Sequence, residues 1–477
     1  MKKTVSKILA VLLTATCAMP LFACNKTKND PNTLNIICVD KGYGTTWIEK
    51  VAEKYTQETG VKVNITPSAN ASSLISTHLA SKNNVDDIYI NVDAGWKGYA
   101  SQGKFANLDS LLDETVDGEK VKDLVLPDYG NSIYFPDRDG SLHTYRLPLI
   151  AGVGGIYYNK KMFDDNGWNI PETYDELVQL CNTIRRAAVP VAGSDDPNEH
   201  VAPFIYTSAN IDYFDYAVFT WWAQLAGENN IKQFMKYDSP DIFDANQNAT
   251  YAHLKTATTM WSELFSNSAN YISNDNNHTA QTRFANGYAA MMFNGDWLYN
   301  EIINYGITDL AGKFELGYMK TPAATDAVDT DITYTVGDDQ YIAVPASSIK
   351  QDKAKAFIKL LISDWGCETY INEAHGVLAY KGSLRASTTD SFMSNIIDVK
   401  KSYSKAFTSY PPVKDIQNIT QSTALLNLNN KVDIWGTGGA RPYKRIIDGT
   451  SIDNAFSIIK TEVSGQWNDW KRQCGLS

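Results

Sequence analysis

The chain has little of the chemistry on which several large classes of protein depend. Its 477 residues carry a formal net charge of −11, whereas proteins that bind nucleic acid need a basic face to meet the phosphates. The phosphate-binding pattern GxxxxGK[ST], the zinc-binding pattern HExxH and the hydrolase pattern GxSxG are all absent. The segment GVGG at 152–155 lacks the spacing of a dinucleotide-binding loop. We therefore expect no nucleic-acid partner and no cofactor.

Residues that commonly hold metals are few and scattered. The six histidines occur singly and the six cysteines show no CxxC spacing, so we expect no metal site. Beyond the first 24 residues, the remaining cysteines are Cys38, Cys181, Cys367 and Cys474. Their spacing neither requires nor excludes disulfides.

The amino end is typical of a segment that directs secretion. A basic start, MKKTVSK, precedes the apolar run ILAVLLTATCAMP, which is too short for an ordinary membrane span. LFAC at 21–24 resembles the lipobox of bacterial lipoproteins, in which cleavage falls before the cysteine and the cysteine receives lipid. We therefore expect a signal peptide at 1–23, lipid on Cys24 and a flexible tether over 24–32. The alternative is plain secretion with an incidental cysteine.

Aromatic residues are abundant. They make up 12% of the sequence, with 27 Tyr, 17 Phe and 11 Trp, and such an excess of Tyr is typical of surfaces that recognise polar ligands with an apolar face.

The chain after the amino-terminal segment has an α/β pattern. TLNIICV at 33–39 predicts a buried strand, a helix follows that ends at Gly60, and VKVNIT predicts a second strand. Such β-α-β units predict parallel sheets with helices outside.

Further segments extend this pattern without an internal linker. DDIYINV predicts a strand, and four helices are predicted at SSLISTHLA, YDELVQLCNTIRRA, DYAVFTWWAQLAG and QDKAKAFIKLLISDW. No long linker or repeat interrupts residues 33–477. Two α/β lobes between which the chain passes more than once fit this continuity.

The stretch MMFNGDWLYN at 291–300 presents a tryptophan at a strand end. An apolar run stops at Asn294-Gly295-Asp296, and Trp297 follows the turn directly. A paired strand would bury a tryptophan, whereas a turn at its end can present one to a ligand.

Several segments together resemble a known family. They are DKGYG with the helix ending in QETGVKV, DIYINVDAGWKGYASQGKFANLDSLL, YRLPLIAGVGGIYYNKKMFDDNGWNIPETYDEL, FANGYAAMMFNGDW and TVGDDQYIAVPASSIKQDKAKAFIKLL. Their order over about 440 residues is similar to that of extracellular solute-binding protein family 1, the maltose-binding-protein-like group that serves bacterial ABC importers.

The resemblance implies a fold and a function. The fold is the two-lobed periplasmic-binding-protein (type II) fold, with interleaved lobes, a hinge and a ligand cleft. Lobe 1 would comprise 33–148 plus 337–376, and lobe 2 would comprise 149–336 plus 377–477. The ligand class is carbohydrate, lobe closure signals to the permease subunits of the transporter, and the protein sits on the extracytoplasmic face of the cell membrane by its lipid anchor.

The resemblance also implies site residues, each of which has a plainer alternative. Trp297 stands where the family presents a stacking tryptophan, and core or hinge packing is its alternative. The other residues that match cleft positions are Asp40, Lys41, Asp93, Trp96, Tyr213 and Trp435. Tyr216 could take the place of Tyr213, and a Gly-rich turn after Trp435 departs from the family pattern.

The expected function is binding without catalysis. Several candidate aromatic platforms hint at more than one sugar ring, hence a neutral oligosaccharide. The alternatives are a lipoprotein glycosidase, which needs a pair of carboxylates about 5–10 Å apart, and a binding protein for a non-sugar solute, which needs charged clamps.

Overall fold

A computed structural model describes residues 30–93, 95–130, 132–136, 141–305, 314–336, 339–408, 428, 432–436 and 441–474. The strands of these residues, numbered in chain order, are β1 Thr33–Val39, β2 Lys62–Ser68, β3 Ile88–Val92, β4 Thr115–Val116, β5 Glu119–Lys120, β6 Phe135–Pro136, β7 Leu142–His143, β8 Leu147–Pro148, β9 Gly154–Asn159, β10 Ala202–Thr207, β11 Tyr271–Asn274, β12 Ala289–Gly295, β13 Leu316–Met319, β14 Ile332–Tyr334, β15 Gln340–Ala343 and β16 Lys405–Phe407.

The helices cover the faces of the sheets. The α-helices are α1 Thr46–Thr59, α2 Ala71–Ala80, α3 Trp96–Ser101, α4 Asp109–Leu112, α5 Val121–Leu124, α6 Lys160–Asn166, α7 Tyr174–Ala187, α8 Asp215–Ala226, α9 Glu228–Phe234, α10 Ala249–Phe265, α11 Asn277–Ala285, α12 Leu298–Asn304, α13 Gln351–Leu361, α14 Asp364–Ala374, α15 Lys381–Arg385, α16 Ser391–Lys401, α17 Tyr443–Ile447 and α18 Ile452–Cys474. Short 3-10 helices lie at Pro127–Tyr129, Ser208–Phe214, Pro240–Phe243 and Ser268–Asn270.

The predicted β-α-β start of the fold is confirmed. β1 pairs in parallel with β2 and β3, and α1 buries the apolar face that its sequence periodicity predicts. The helix ends at Gly60, whose φ of 71° is left-handed. A glycine is favoured there because it has no Cβ to clash in that conformation.

The other predicted helices form, with one difference. α7 begins behind a capping box in which the Thr173 hydroxyl accepts the backbone N–H of Glu176. The predicted helix over QDKAKAFIKLLISDW is two helices, α13 and α14. The chain breaks between them because the Ser363 hydroxyl accepts the N–H of Gly366 at 3.1 Å and caps a new helix.

Two five-stranded sheets form the centres of two lobes. The first has the order β2-β1-β3-β15-β8, and the second has the order β11-β10-β12-β9-β13. In the first, β15 runs antiparallel to β3 and β8. In the second, β10 is parallel to β11 and β12, whereas β9 is antiparallel to β12 and β13. β15 lies late in the chain but belongs to the first sheet, so the chain returns to the first lobe after building the second.

The chain segments that cross between the lobes lie side by side. Single β-bridges join Ile150 to Leu378 and Gly152 to Val336. The hydroxyl of Tyr129 lies 3.0 Å from that of Thr335, next to these bridges. Residues far apart in sequence thus meet at a narrow connection, which is the geometry of a hinge. The lobe boundaries stay a prediction.

The described residues can be checked for disulfides, metal-binding clusters and membrane-spanning helices. Within it, Cys38, Cys181, Cys367 and Cys474 are buried and form no disulfide. No cluster of His, Cys, Asp and Glu suited to a metal ion occurs among the described residues. Across the same ranges, no helix has the length and apolarity to cross a membrane. Cys24, the signal peptide and most of the tether lie outside the described residues.

Candidate functional site

The strand order of the first sheet reverses at β1, and the carboxyl ends of β1 and β3 lie side by side. The chain passes from β1 to β2 on one side and then to β3 on the other side of β1. Ligands of open α/β sheets bind at such a reversal, outside the carboxyl ends of the strands. Asp40 and Lys41 follow β1 directly and are exposed, and Asp93 follows β3 and is half-buried. The structure therefore brings three of the predicted residues to one edge of the first lobe.

Asp93 also organises the loop that follows it. Its Oδ1 accepts the backbone N–H of Gly95 at 2.7 Å, and its own N–H donates to the carbonyl of Asp339 at 3.0 Å. These bonds hold the loop after β3 beside the segment that returns from the second lobe.

The strand order of the second sheet reverses in the same way, at β10. β10 lies between β11 and β12, so its order reverses there as well. The 3-10 helix after β10 carries Tyr213, and the turn after β12 carries Trp297; both residues are partly buried. Their ring centroids are 5.9 Å apart, and Tyr216 stacks on Tyr213 at 5.4 Å with 24° between the planes.

The two edges face each other. Tyr43, in the turn after β1, lies edge-on to Trp297 with 6.3 Å between the ring centroids. Gly42 lies so close that a Cβ there would be 2.9 Å from the Cβ of Trp297. A larger residue at 42 would push the lobes apart, because real Cβ atoms do not approach that closely. We call Tyr43, Tyr213, Tyr216 and Trp297 the aromatic cluster.

Two carboxyl groups lie beside the aromatic cluster. Asp296 is fully buried, and its Oδ1 accepts the hydroxyl of Tyr43 at 2.7 Å. Burial raises the pKa of Asp296 to about 7, against the hydrogen bond from Tyr43, which lowers the pKa. Glu301 accepts a hydrogen bond from Nε2 of Gln281 at 2.6 Å, and burial raises the pKa of Glu301.

Sequence reasoning missed Tyr43, Asp296 and Glu301 as site residues, and it held Tyr216 only as a substitute for Tyr213. Tyr43 and Asp296 occur in DKGYG and NGDW, the two strand-end turns that pointed to Asp40 and Trp297. Glu301 follows Trp297 by four residues on α12, a spacing that places two side chains on one helix face. Both signals were available without the structure.

The expectation that Trp435 lines the cleft is wrong in this structure. Its side chain is 0% exposed, and its ring packs 5.6 Å from that of Phe219 and 5.5 Å from that of Tyr443. The indole N–H donates to Oδ1 of the buried Asp215 at 3.0 Å. Because a buried carboxylate needs donors, this bond holds Trp435 in the core of the second lobe.

The expectation for Trp96 is also corrected. Trp96 is 1% exposed and packs against Phe135, with 5.6 Å between the ring centroids. The guanidinium of Arg146, itself fully buried, lies 4.7 Å from the Trp96 ring centre. Trp96 begins α3, and the helix turns the ring into the first lobe, so Asp93 and not Trp96 reaches the edge.

Two interleaved α/β lobes, whose strand-end turns meet at one edge, are the architecture of the two-lobed solute-binding proteins. Residues 41–365 match the family described as "Bacterial extracellular solute-binding protein", and the chain belongs to that family. The predictions of the family and of the two-lobed periplasmic-binding-protein fold are confirmed.

Two named relatives share about a quarter of the aligned residues with this chain. The chain is 24% identical over 377 residues to the "Multiple sugar-binding protein" of Streptococcus mutans serotype c, covering 76% of this chain and 80% of the relative. It is 27% identical over 165 residues to the "Diacetylchitobiose binding protein NgcE" of Streptomyces coelicolor, covering 32% of this chain and 34% of the relative. The match thus spans about a third of that second relative.

Solved structures share the fold. The apo form of RafE from Streptococcus pneumoniae matches with a TM-score of 0.64 and 16% identity, covering 91% of this chain and 97% of that one. The structure described as "SBP RafE in complex with raffinose" matches with a TM-score of 0.60 at 16% identity, covering 91% of this chain and 99% of that one.

Proposed function

We propose that this chain is the carbohydrate-binding subunit of a bacterial ABC importer, anchored by lipid on Cys24 to the extracytoplasmic face of the membrane. It captures a neutral oligosaccharide between its lobes and delivers it unchanged to the permease subunits. The observation that carries this proposal is the aromatic cluster, because its rings come from both lobes and meet where the strand ends of the two lobes face each other.

The aromatic cluster suits a sugar ring for a physical reason. A pyranose has an apolar face of C–H groups and a rim of hydroxyls. The flat indole of Trp297, a residue that is only partly buried, can cover the apolar face, with Tyr213 beside it. This arrangement supports Trp297 as a platform for the ligand.

Polar side chains around the aromatic cluster supply partners for the hydroxyls. Asp40, Lys41 and Asp93 stand at the edge of the first lobe, and Glu301 lies next to Gly42. Carboxylates accept hydrogen bonds and the lysine ammonium donates them. Sugar hydroxyls can both donate and accept, so these side chains together can bind them. The mixture of charges favours a neutral sugar over a strongly anionic one.

The names of the relatives agree with a carbohydrate. The two curated relatives are named for binding multiple sugars and diacetylchitobiose, and one of the similar structures holds raffinose. These names support the ligand class and leave the sugar of this chain open.

The competing functions have less support. A glycosidase places an acid and a second carboxylate on either side of the bond that it cleaves, whereas Asp296 is fully buried and bonded to Tyr43. A receptor for amino acids needs charged clamps for an ammonium and a carboxylate, and neutral rings make poor clamps for ions. Binding without catalysis therefore fits the site best.

Calorimetric titration of residues 25–477 tests the ligand class. The panel is raffinose, diacetylchitobiose, maltotriose, and β-linked gluco-, xylo- and manno-oligosaccharides, with monosaccharides and amino acids as controls. We expect an oligosaccharide to bind with a Kd of micromolar order, which is about −8 kcal/mol. Cleavage of the bound sugar would support the glycosidase, and a lack of binding across the sugars would contradict a neutral oligosaccharide.

Replacing Trp297 tests the platform. We expect Trp297→Ala to weaken sugar binding by about 2 kcal/mol or more, which is about 30-fold, because a central tryptophan is a common hot spot. The matched control is Trp365→Ala, since Trp365 lies on α14, is 38% exposed and contacts Lys54. Equal losses in the two variants would contradict the platform.

The lipid anchor has its own test. Cys24→Ala expressed in the native host is expected to leave the membrane fraction, while mass spectrometry of the wild type shows acyl groups on Cys24. An unmodified Cys24 in a protein processed elsewhere would contradict the anchor and leave the sugar proposal intact.

A further inference from the structure

Asp296 joins the two lobes directly. It follows β12 of the second lobe, and its Oδ1 accepts the hydroxyl of Tyr43 from the turn after β1 of the first lobe, at 2.7 Å. The Tyr43 ring rests on Tyr370 of α14, with 5.6 Å between the centroids, so the donor is fixed to the first lobe. If the lobes separate at this edge, the hydrogen bond breaks and water reaches the carboxyl group.

The surroundings of Asp296 contain many ionisable groups, and five of them are tyrosines. The groups facing it from the elements packed around it are Tyr43 of the turn after β1, Tyr157 of β9, Tyr216 of α8, Tyr318 of β13, Tyr370 of α14 and Lys400 of α16. Burial holds the pKa of each tyrosine well above its ordinary value, so the phenols stay neutral. Lys400 forms an ion pair with Asp128 at 3.3 Å.

The carboxyl group itself is only half satisfied. Oδ2 of Asp296 is buried and has no hydrogen-bond partner among the described residues. Burying an ionised carboxylate with one oxygen left without a hydrogen bond costs free energy, whereas the protonated acid carries no charge to desolvate. Burial accordingly raises the pKa of Asp296 to about 7, although the hydrogen bond from Tyr43 lowers the pKa.

We propose that Asp296 and Tyr43 form a proton-linked latch between the lobes, in which closure takes up one proton on Asp296. The proton comes from solvent and binds the carboxylate, so no other reactant is needed. The latch rests on the proposed function only in that closure is the motion by which this family member would hold its ligand.

The direction of the pH effect follows from the two states. In the open state, water reaches Asp296 and its pKa falls toward the ordinary value of 3.8, whereas in the closed state the pKa is about 7. Closure is therefore favoured as the pH falls below about 7, and ligand affinity rises by up to about tenfold per pH unit until about pH 4, where the open state also takes up its proton. Above about pH 8 both states are ionised and the affinity no longer changes.

Small-angle X-ray scattering of the ligand-free chain tests the latch without any sugar. We expect the radius of gyration of the wild type to fall as the pH is lowered from about 8.5 to about 5.5. Asp296→Asn, which mimics the neutral acid, should show no such change. A control, Asp165→Asn, replaces an exposed carboxylate paired with Lys161 and should behave as the wild type. A radius that is independent of pH in the wild type would overturn the latch.

Calorimetry measures the proton directly. Raffinose, or the panel sugar that binds in its place, is titrated in buffers of different ionisation enthalpy, so that the slope gives the protons taken up. Between about pH 6 and 7 we expect binding to take up as much as one proton, reduced by the fraction of the free chain that scattering shows to be closed already. We expect nearly none at about pH 8.5, and none for Asp296→Asn at either pH. Sugar binding without proton uptake would overturn the latch alone, whereas absence of binding with pH-dependent compaction would overturn only the proposed ligand.

A second variant tests the latch even if Asp296→Asn does not fold. Tyr43→Phe keeps the ring packing and removes the hydroxyl that lowers the pKa of Asp296. The midpoint of compaction and of proton uptake should move to higher pH, because the carboxylate loses its donor. A merely structural role for Tyr43 would weaken binding equally at every pH and leave the midpoint unchanged.

Discussion

Trp297 and Trp435 have opposite surroundings although both follow turn-forming residues. Trp297 is only partly buried and lies beside Tyr213, whereas Trp435 is fully buried and donates to Asp215. Asp215 also accepts from Oη of Tyr443 at 2.7 Å and from Nε of Arg441 at 2.9 Å. These bonds attach the carboxyl-terminal part of the chain to α8, which gives Trp435 a structural role.

Replacing Trp435 shows whether this residue stabilises the fold or binds the sugar. We expect Trp435→Phe to lower the free energy of unfolding by about 1–3 kcal/mol, because it removes a donor from a buried carboxylate, and to leave sugar affinity within about twofold. Urea unfolding and calorimetry measure the two quantities. A loss of sugar affinity with unchanged stability would mean that Trp435 contacts the ligand after all.

At the scale of elements, the turns after the strands build the site and the helices behind them support it. The turn after β1 brings Gly42 and Tyr43 to the second lobe, and the turn after β12 brings Asp296 and Trp297 to the first. Gly42 matters in this contact because a side chain there would meet the Cβ of Trp297 at 2.9 Å.

Gly42→Ala tests the close approach of the two turns. We expect sugar affinity to fall by about tenfold, since overpacking costs about 1–3 kcal/mol, while the open state relieves the clash and the stability of the folded chain changes little. The readouts are calorimetric affinity and urea unfolding. An unchanged affinity would mean that the turns are farther apart when sugar is bound.

Gly465→Ala is the matched control, in the exposed middle of α18, where a Cβ meets nothing within 4 Å. It should raise the free energy of unfolding by about 0.5–1 kcal/mol, because alanine loses less backbone entropy than glycine in a helix. Its sugar affinity should equal that of the wild type.

At the scale of the whole molecule, the hinge and the cross-lobe contacts decide how the lobes meet. The bridges Ile150–Leu378 and Gly152–Val336 hold the crossing segments together. Tyr43–Asp296 joins the lobes at the site, and Lys400–Asp128 joins them elsewhere, at 3.3 Å with both side chains largely buried. A solute bound between the lobes adds contacts to the closed state only.

Bound sugar should therefore stabilise the whole chain against urea. At about 100 times the Kd, the expected gain in the free energy of unfolding is about 2.7 kcal/mol. Trp297→Ala should need a higher sugar concentration for the same gain, in proportion to its weaker binding. A gain that is identical in wild type and variant would place the bound sugar away from Trp297.

The sequence by itself determined the local elements and the strand ends. The periodicity of α1 and the capping box of α7 depend on residues within a few positions of one another, so they can be identified without the fold. The placement of Trp297 just beyond a strand has the same local origin.

Only the tertiary structure decided which side chains meet. Tyr43 and Asp296 are separated by 253 positions, and Trp435 lies 220 positions from Asp215. Local patterns contain no information about such pairs, because each depends on how two distant elements pack. Whether an aromatic ring faces a ligand or the core follows from that packing, which explains why the sequence could not show that Trp96 and Trp435 are buried, and why the role of Trp297 stays a prediction.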